Sequence, residues 1–413
     1  MAILALFSPL LIQAAEAAQA YKVRLLAQGL NNPRGLLVHG PRVLVSEAGS
    51  GPQSGSSGSP CILAGSGATL CQGLTGAIGA WDSLSGSYSR LITGLPSLAE
   101  SNGTEGTGIA DLTWHGSTGL VGVFGLGGDP NQPSASLLSP LFGQVVTIDL
   151  ASGQLTPRSN LAAYEKTVNP DSNTKDINSN PYAIQSFGNQ LYATDAGGNT
   201  LLAIDPSSSD PGGNFPVTSH FVFPRIDVML GPPFIPGPPV PYKAAAVPTG
   251  LAAKVLGTQL NIGEFTGVPF EAGSASVFSL DATATAPTQD LTGFTMITDV
   301  AAGDDDSLYI LEYASNLFQR APSGSIWLVD PTGARSQIIT GLFKPTGIAV
   351  GPGGVLYVTN NADGTEGELL QFTPVPGPLP LFGAWAAWLR SRGLRQRRRQ
   401  PLRQRRSNRN GGR

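Results

Sequence analysis

KPTGIAVGPGGVLYVTNNADGTEGELLQFTP, residues 344–374, holds the pattern on which the fold turns. It opens with a turn and runs through a short apolar strand at 348–350. It reverses at Gly351–Gly354 and continues as a second apolar strand at 355–359. A loop and a third strand, GELLQFTP, follow. Short β-branched and aromatic runs punctuated by Gly, Pro and Asn read as strands joined by tight turns. The same order recurs five times upstream. NPRGLLVHGPRVLVSEAG begins at Asn32, TGIADLTWHGSTGLVGVFG at Thr107 and NPYAIQSFGNQLYATDAG at Asn180. VPTGLAAKVLGTQLNIGEFTG begins at Val247 and MITDVAAGDDDSLYILEYA at Met296. Self-similarity of this kind signals an array of identical supersecondary units.

Third strands in five cycles end at an acid: Asp82, Asp149, Asp205, Asp281 and Asp330. Asp accepts backbone hydrogen bonds in turns, so these read as strand reversals rather than a metal ladder. Fourth strands follow, such as SYSRLITGL (87–95) and RSQIITGL (335–342). The sixth cycle stops after its third strand, while a spare strand, YKVRLLAQGL (21–30), precedes the first cycle and ends in Gly-Leu like the fourth strands. The expected architecture is therefore all-β: a six-bladed β-propeller of four-stranded antiparallel blades, closed by the N-terminal strand. Closure removes an open edge. The absence of helical periodicity argues against a solenoid or a TIM barrel.

Composition agrees. The chain has 413 residues with 53 Gly, 34 Pro and only 13% charged residues, which suits many short strands and turns. Eleven arginines and no acid lie between Arg390 and Arg413, which leaves 14 basic residues against 28 acids, a charge near −14, for the rest of the chain. Such an acidic body excludes nucleic acid as its partner, because phosphate binding needs clustered Lys and Arg.

The sequence divides into 1–20, 21–374 and 375–413. Residues 1–20 have an apolar stretch at 2–12 and then Ala18-Gln19-Ala20, a small-x-small cleavage pattern. No Lys or Arg precedes that stretch. These features predict a secretory leader and an exported protein of the periplasm, cell envelope or extracellular space. At the other end a Pro-rich hinge precedes a dozen apolar residues (378–389) and the Arg run. That segment is too short to span a bilayer comfortably. Cys61 and Cys71 lie in a Gly/Ser-rich loop without CxxC spacing. In an exported chain they are expected to form a local disulfide.

Because strands alternate direction within a blade, the second-to-third and blade-to-blade loops share one face. The long insertions fall there, at 49–76, 96–107, 127–141, 165–180, 226–247 and 314–323. Long loops gathered on one face point to binding. Polar residues converge on the same face near the axis. Second strands end in Glu47, Asp195, Glu264, Glu312 and Asn360. First strands begin near Arg34, Asp111, Asn180, Thr249, Asp299 and Thr346. The ring formed by Arg34, Glu47, Asp111, Asn180, Asp195, Glu264, Asp299, Glu312 and Asn360 is the candidate site. Its oxygens could hold Ca²⁺, which takes about six to eight hard oxygen ligands, or line a water-filled funnel. His39 and His115 fall in first turns on the opposite, plain face and His220 in an outer strand, so no histidine is placed as a general base. No GxSxG elbow is present.

The cycles resemble a named family. GLNNPRGL, CILAGSGATLCQGLTGAI, GLPSL, GLGGDP, LFGQVV, NLAAYE, SNPYAI, DAGGNTLL, VPTGL, GEFTGVPF and KPTGIAVGPGGVLYV are similar to the ScyD/ScyE family. These are exported propellers related to NHL-repeat proteins and named from gene clusters for the pigment scytonemin. The resemblance covers about 21–374 and implies fold and export, with no catalytic residues to carry over. Val375 to Gly383, VPGPLPLFG, resembles C-terminal sorting signals of the PEP-CTERM type. That resemblance implies a tail that engages membrane sorting machinery. Two functional classes follow. One is a non-catalytic binding or assembly module whose envelope ligand is a polysaccharide, a pigment or a protein. The other is a Ca²⁺-dependent hydrolase like the lactonase propellers, which place a Glu, an Asn and an Asp at first-strand starts. Asn180 and Asp299 match two such places, and Arg34 stands where the Glu is wanted.

Overall fold

The computed structural model describes residues 20–52, 58–116, 118–173, 176–255, 257–317 and 323–375. The expected leader and sorting tail lie outside these residues. The propeller body is one compact unit from Tyr21 to Thr373.

Six antiparallel sheets follow one another along the chain. The first strand, β1 (Tyr21–Leu30), belongs to the last of them. Blade one contains β2 (Pro33–His39), β3 (Arg42–Glu47), β4 (Cys61–Leu63), β5 (Thr69–Asp82) and β6 (Ser87–Ala99). Blade two is β7 (Ile109–His115), β8 (Gly119–Phe124), β9 (Gln144–Asp149) and β10 (Gln154–Asn160). After a helix α1 (Leu161–Val168), blade three is β11 (Pro181–Phe187), β12 (Gln190–Asp195), β13 (Thr200–Ile204) and β14 (Val217–Val222). A separate hairpin, β15 (Ile226–Leu230) with β16 (Val240–Ala244), precedes blade four: β17 (Pro248–Ala253), β18 (Gln259–Glu264), β19 (Ala275–Asp281) and β20 (Thr288–Phe294). Blade five is β21 (Ile297–Ala302), β22 (Leu308–Glu312), β23 (Gly324–Val329) and β24 (Arg335–Leu342). Blade six is β25 (Gly347–Gly351), β26 (Val355–Asn360) and β27 (Gly367–Pro374), and β1 pairs with β27 as its fourth strand.

Each sheet packs on the next, and both faces of the second strands are covered. RVLVSE of β3 and QLNIGE of β18 are therefore buried at nearly every position. Six apolar cores result, one for each neighbouring pair. The core between blades one and two joins Leu44, Ile78 and Ile92 to Leu112, Phe124 and Ile148. The core between blades six and one joins Tyr357 and Leu369 to Val43, Val45 and Trp81. That last core, with the β1–β27 pairing, closes the ring. Close to the axis, hydroxyls stitch one blade to the next. Ser46 Oγ donates to Ala110 O (2.8 Å), Thr194 Oγ1 to Thr249 O (2.7 Å), Thr249 Oγ1 to Ile297 O (2.6 Å) and Thr346 Oγ1 to Pro33 O (2.7 Å).

The long loops carry more order than the sequence pattern suggests. In blade one, β5 and β6 extend past the disc, and Cys61 and Cys71 join β4 to β5 through a disulfide. A seventh apolar cluster (Ile62, Leu70, Leu98, Leu126, Phe142, Ala162) seats this extension against the loop after β8. Gly73 permits it, because a Cβ there would overlap the Gly51 carbonyl. The turn acids behave as expected: Asp82, Asp149 and Asp330 each accept N–H bonds from residues just after the strand.

Candidate functional site at the axial mouth

The six first strands superpose as a repeat: Pro33-Arg34-Gly35, Ile109-Ala110-Asp111, Pro181-Tyr182-Ala183, Pro248-Thr249-Gly250, Ile297-Thr298-Asp299 and Pro345-Thr346-Gly347. The third position is acidic only in blades two and five. Those blades lie three apart in a ring of six, so Asp111 and Asp299 face each other across the axis. Their settings match. Asp111 Oδ2 accepts the N–H of Ile184 in blade three (2.9 Å), and Asp299 Oδ2 accepts that of Ile348 in blade six (2.8 Å). Each carboxyl leans over a glycine of the preceding blade. A Cβ at Gly35 would overlap Asp111, and one at Gly250 would overlap Asp299. The floor of the site is thus pseudo-two-fold.

Burial dominates the protonation of this pair. It pushes Asp111 up to about 7, against the stabilising N–H bonds of Ile184 and Leu112. Asp299 is raised well above the ordinary carboxylate range, first by burial and then by the charge of Asp111. Two acids coupled in this way lose their protons in turn, not together.

Above the floor opens a cavity of about 590 Å³. Arg34 forms one wall. Its Nη1 donates to Ala362 O (3.0 Å) and its Nη2 to Gly106 O (2.6 Å), which hold the guanidinium between blades six and two. Tyr182 stands at the same repeat position as Arg34, two blades on. Burial raises its hydroxyl, which also lies in the fields of Arg34, Asp299 and Asp111. The opposite wall is aromatic: Phe265 and Phe270 line the cavity, and their rings meet edge-on at 6.0 Å. Phe265 is backed by Tyr313 at 5.7 Å. Arg225 and Tyr242, beside and within the β15–β16 hairpin, complete the rim.

Of the residues expected at the site, Arg34, Asp111, Asn180 and Asp299 line this cavity. Glu47, Asp195, Glu264, Glu312 and Asn360 do not line it. Most of these second-strand ends receive the backbone N–H that leads into the first strand of their own blade. Glu47 accepts from Asn31 N (2.7 Å), Asp195 from Asn180 N (2.7 Å), Glu312 from Thr295 N (2.8 Å) and the Asn360 side-chain oxygen from Phe343 N (2.8 Å). Further donors occupy them. Arg90 and the Tyr88 hydroxyl bind Glu47, Ser179 and the Gly197 and Gly198 N–H groups bind Asp195, and Ser325 and Trp327 bind Glu312. Glu264 is the odd member. It is 2% exposed, its Oε1 has no partner among the described residues, and burial pushes it up to about 8.

The axial donor set does not fit calcium. Each of the two floor carboxyls already spends an oxygen on a backbone N–H, and a guanidinium stands where a third anion is wanted. Among the described residues no three carboxylate, imidazole or thiolate groups are gathered closely enough to hold a metal. His39 and His115 end β2 and β7 in the first turns of their blades, and His39 stacks on Trp114 with centroids 4.2 Å apart. Tyr182, Phe265 and Phe270 were not singled out from the sequence. Aligning the repeats on the X-Pro starts would have found Tyr182. Phe265 holds the repeat position that Tyr313 holds in blade five, each bonding through its N–H to the residue before the first strand, and Phe270 lies further along the same β18–β19 loop.

Comparison with known proteins supports the fold and stops there. A structural-genomics protein of unknown function from Bacteroides thetaiotaomicron matches over 86% of this chain and 76% of its own, with 9% identity and a TM-score of 0.50. A gluconolactonase from Xanthomonas campestris matches over 88% and 93%, with 12% identity and a TM-score of 0.44. A streptogramin B lyase matches over 86% and 98%, with 14% identity and a TM-score of 0.42. The chain is a six-bladed β-propeller. No protein-family model matches it, and no curated protein does.

Proposed function

We propose that this chain is an exported, non-catalytic ligand-binding propeller of the cell envelope, and that it takes a small ring-shaped organic molecule into its axial cavity. One observation carries the reading: an aromatic wall of Phe265 and Phe270 stands across about 590 Å³ from an anchored guanidinium, over a floor of two buried acids. That volume suits a single small molecule, and pockets of this kind combine apolar walls with a few fixed polar groups. Arg34 would take an anionic or hydroxyl group, and the aromatic faces would stack on a sugar or pigment ring. A polysaccharide end or an aromatic pigment both meet this description. The Cys61–Cys71 disulfide suits an oxidising compartment. Among the described residues no helix is long and apolar enough to cross a membrane. The ScyD/ScyE-like motifs and the PEP-CTERM-like tail extend the same reading to retention by membrane sorting machinery.

Thermal-shift screening of envelope oligosaccharides and aromatic pigments tests it. A hit should weaken several-fold on Phe270→Ala and on Tyr182→Ala, the loss expected of an aromatic contact. A hit indifferent to both variants would remove the ligand from this cavity. A second reading has its own support. An acid held near 7 beside a more strongly raised partner is a proton donor–acceptor pair poised for hydrolysis. Turnover of lactones that disappears in Asp111→Asn, with ligand affinity retained, would favour it over simple binding.

A further inference from the structure

One surface turn carries a chemistry that the propeller itself does not use. Between β6 and β7 the chain reads Glu100-Ser101-Asn102-Gly103-Thr104. Asn102-Gly103-Thr104 is the sequence's one Asn-X-Ser/Thr triplet. In an exported chain that triplet is the acceptor pattern for N-glycosylation, and it serves only where a surface turn presents it. Glu100 adds the acid two places before the acceptor that bacterial transferases also demand. Ser101 and Asn102 are exposed. Asn102 Oδ1 accepts the Thr104 N–H (3.0 Å), which makes an Asx turn. The Thr104 hydroxyl stands 2.7 Å from that same Oδ1 and 2.9 Å from Glu100 Oε2.

Acid, acceptor amide and hydroxyl thus meet in one turn. The side-chain bonds of Asn102 fall on Oδ1 alone, so among the described residues its Nδ2 is free. The base of the turn is tied down by the Glu100 N–H to Thr104 O (3.0 Å) and by Asn32 Nδ2 to Gly103 O (2.8 Å), which leaves the tip at the surface. The Gly103 N–H donates to Glu100 O (2.9 Å). That bond holds the nitrogen away from the Asn102 carboxamide, whose attack by the following N–H is the usual route to ammonia loss in Asn-Gly pairs. We propose that Asn102 is a glycosylation site, modified by an oligosaccharyl transferase whose donor is a polyprenyl-pyrophosphate-linked oligosaccharide. Nδ2 forms a bond to the anomeric carbon of the first sugar, and the bond from that carbon to the pyrophosphate oxygen breaks. The pyrophosphate leaves with the electron pair, and the proton lost by Nδ2 passes to a carboxylate of the transferase. The glycan then stands on the loop-rich face, just ahead of Glu105 and Gly106 of the cavity wall. The proposal rests on the export reading and not on any axial ligand.

Peptide mapping by mass spectrometry of the full chain, recovered from the envelope of its native host, tests the site. The peptide that holds Asn102 should carry a glycan. Asn102→Gln and Thr104→Ala should abolish it, Thr104→Ser should keep it, and Glu100→Gln should lower its occupancy severalfold. In a second arm, the purified, folded chain is incubated with a bacterial oligosaccharyl transferase and its lipid-linked donor. The parent should gain one glycan by intact mass and Asn102→Gln none. An envelope-located chain with a bare Asn102, or with only the mass change of deamidation, would overturn the proposal and leave export standing. A folded chain that accepts no glycan, or accepts it equally as Asn102→Gln, would overturn it too. Recovery of the chain from inside the cell would overturn the export reading and this proposal with it.

Discussion

Asp111 shows most directly how one residue couples position to chemistry. It packs in the space that Gly35 leaves, accepts the Ile184 N–H and faces Asp299 across the axis. Its folded value of about 7 stands above its ordinary value of 3.8, so the native state binds this proton more tightly than the unfolded chain does. The associated stability is fully present below pH 3.8, declines as the pH rises from there to about 7, and is gone above it. The melting temperature should therefore fall between about pH 4 and 7, and Asp111→Asn should flatten that fall. An unchanged slope would mean that the carboxyl is solvated. Gly35→Ala forces a methyl group into the same carboxyl and should cost about 1–3 kcal/mol in chemical denaturation. At this scale the sequence was half legible. The acids at first-strand starts could be read because the repeats align them. The second-strand ends looked equivalent because sequence records that they are polar and near the axis, but not that Asn31, Asn180, Thr295 and Phe343 each present an N–H to them.

Strands and turns were more legible than insertions. Alternation and Gly-Pro punctuation mark a strand wherever it pairs with its sequence neighbour. The β15–β16 hairpin and the long arms of β5 and β6 escaped notice. Their Gly- and Pro-rich runs read as loops, and their pairing depends on contacts such as Gly73 against Gly51. Helix α1 is only 8 residues long, too short for its period to stand out. Its Asn160 N-cap, which accepts the Ala163 N–H at 2.7 Å, was the available signal. The β4–β5 arm is held by the disulfide and by the small cluster around Ile62 and Leu70. Replacing both cysteines by alanine should cost on the order of 2–3 kcal/mol. Hydrogen exchange should rise in residues 61–71 while amides in the third and fourth blades keep their protection. Equal loss of protection in all six blades would show that the arm is not a separate unit.

For the molecule as a whole, stability is shared among six equivalent inter-blade cores. The core around Trp81, Tyr357 and Leu369 joins the two ends of the propeller, and Tyr21 of β1 adds to the core between blades five and six. Removing residues 21–30 would leave β27 with an open edge and strip Leu30 from that core. The truncated chain should elute as oligomers or aggregate, since an exposed strand edge templates pairing with other chains. A monodisperse monomer would refute the role given to β1. Ring size and closure were readable from the repeat count alone, because a spare strand at one end and a missing one at the other have one economical solution.

That seam also sets a timetable. The ribosome makes β1 before anything else in the disc and its partner β27 last, so nothing built in between can complete the circle. At typical elongation rates of about 5–20 residues per second, β1 remains single for tens of seconds. Exposed valine and leucine on that strand, Val23 and Leu25, stay open to other chains for the whole interval. A guardian that shields nascent segments would be needed most at this strand. A circular permutant that begins at Gly347 would make both partners of the seam in quick succession and should fold with less of that help.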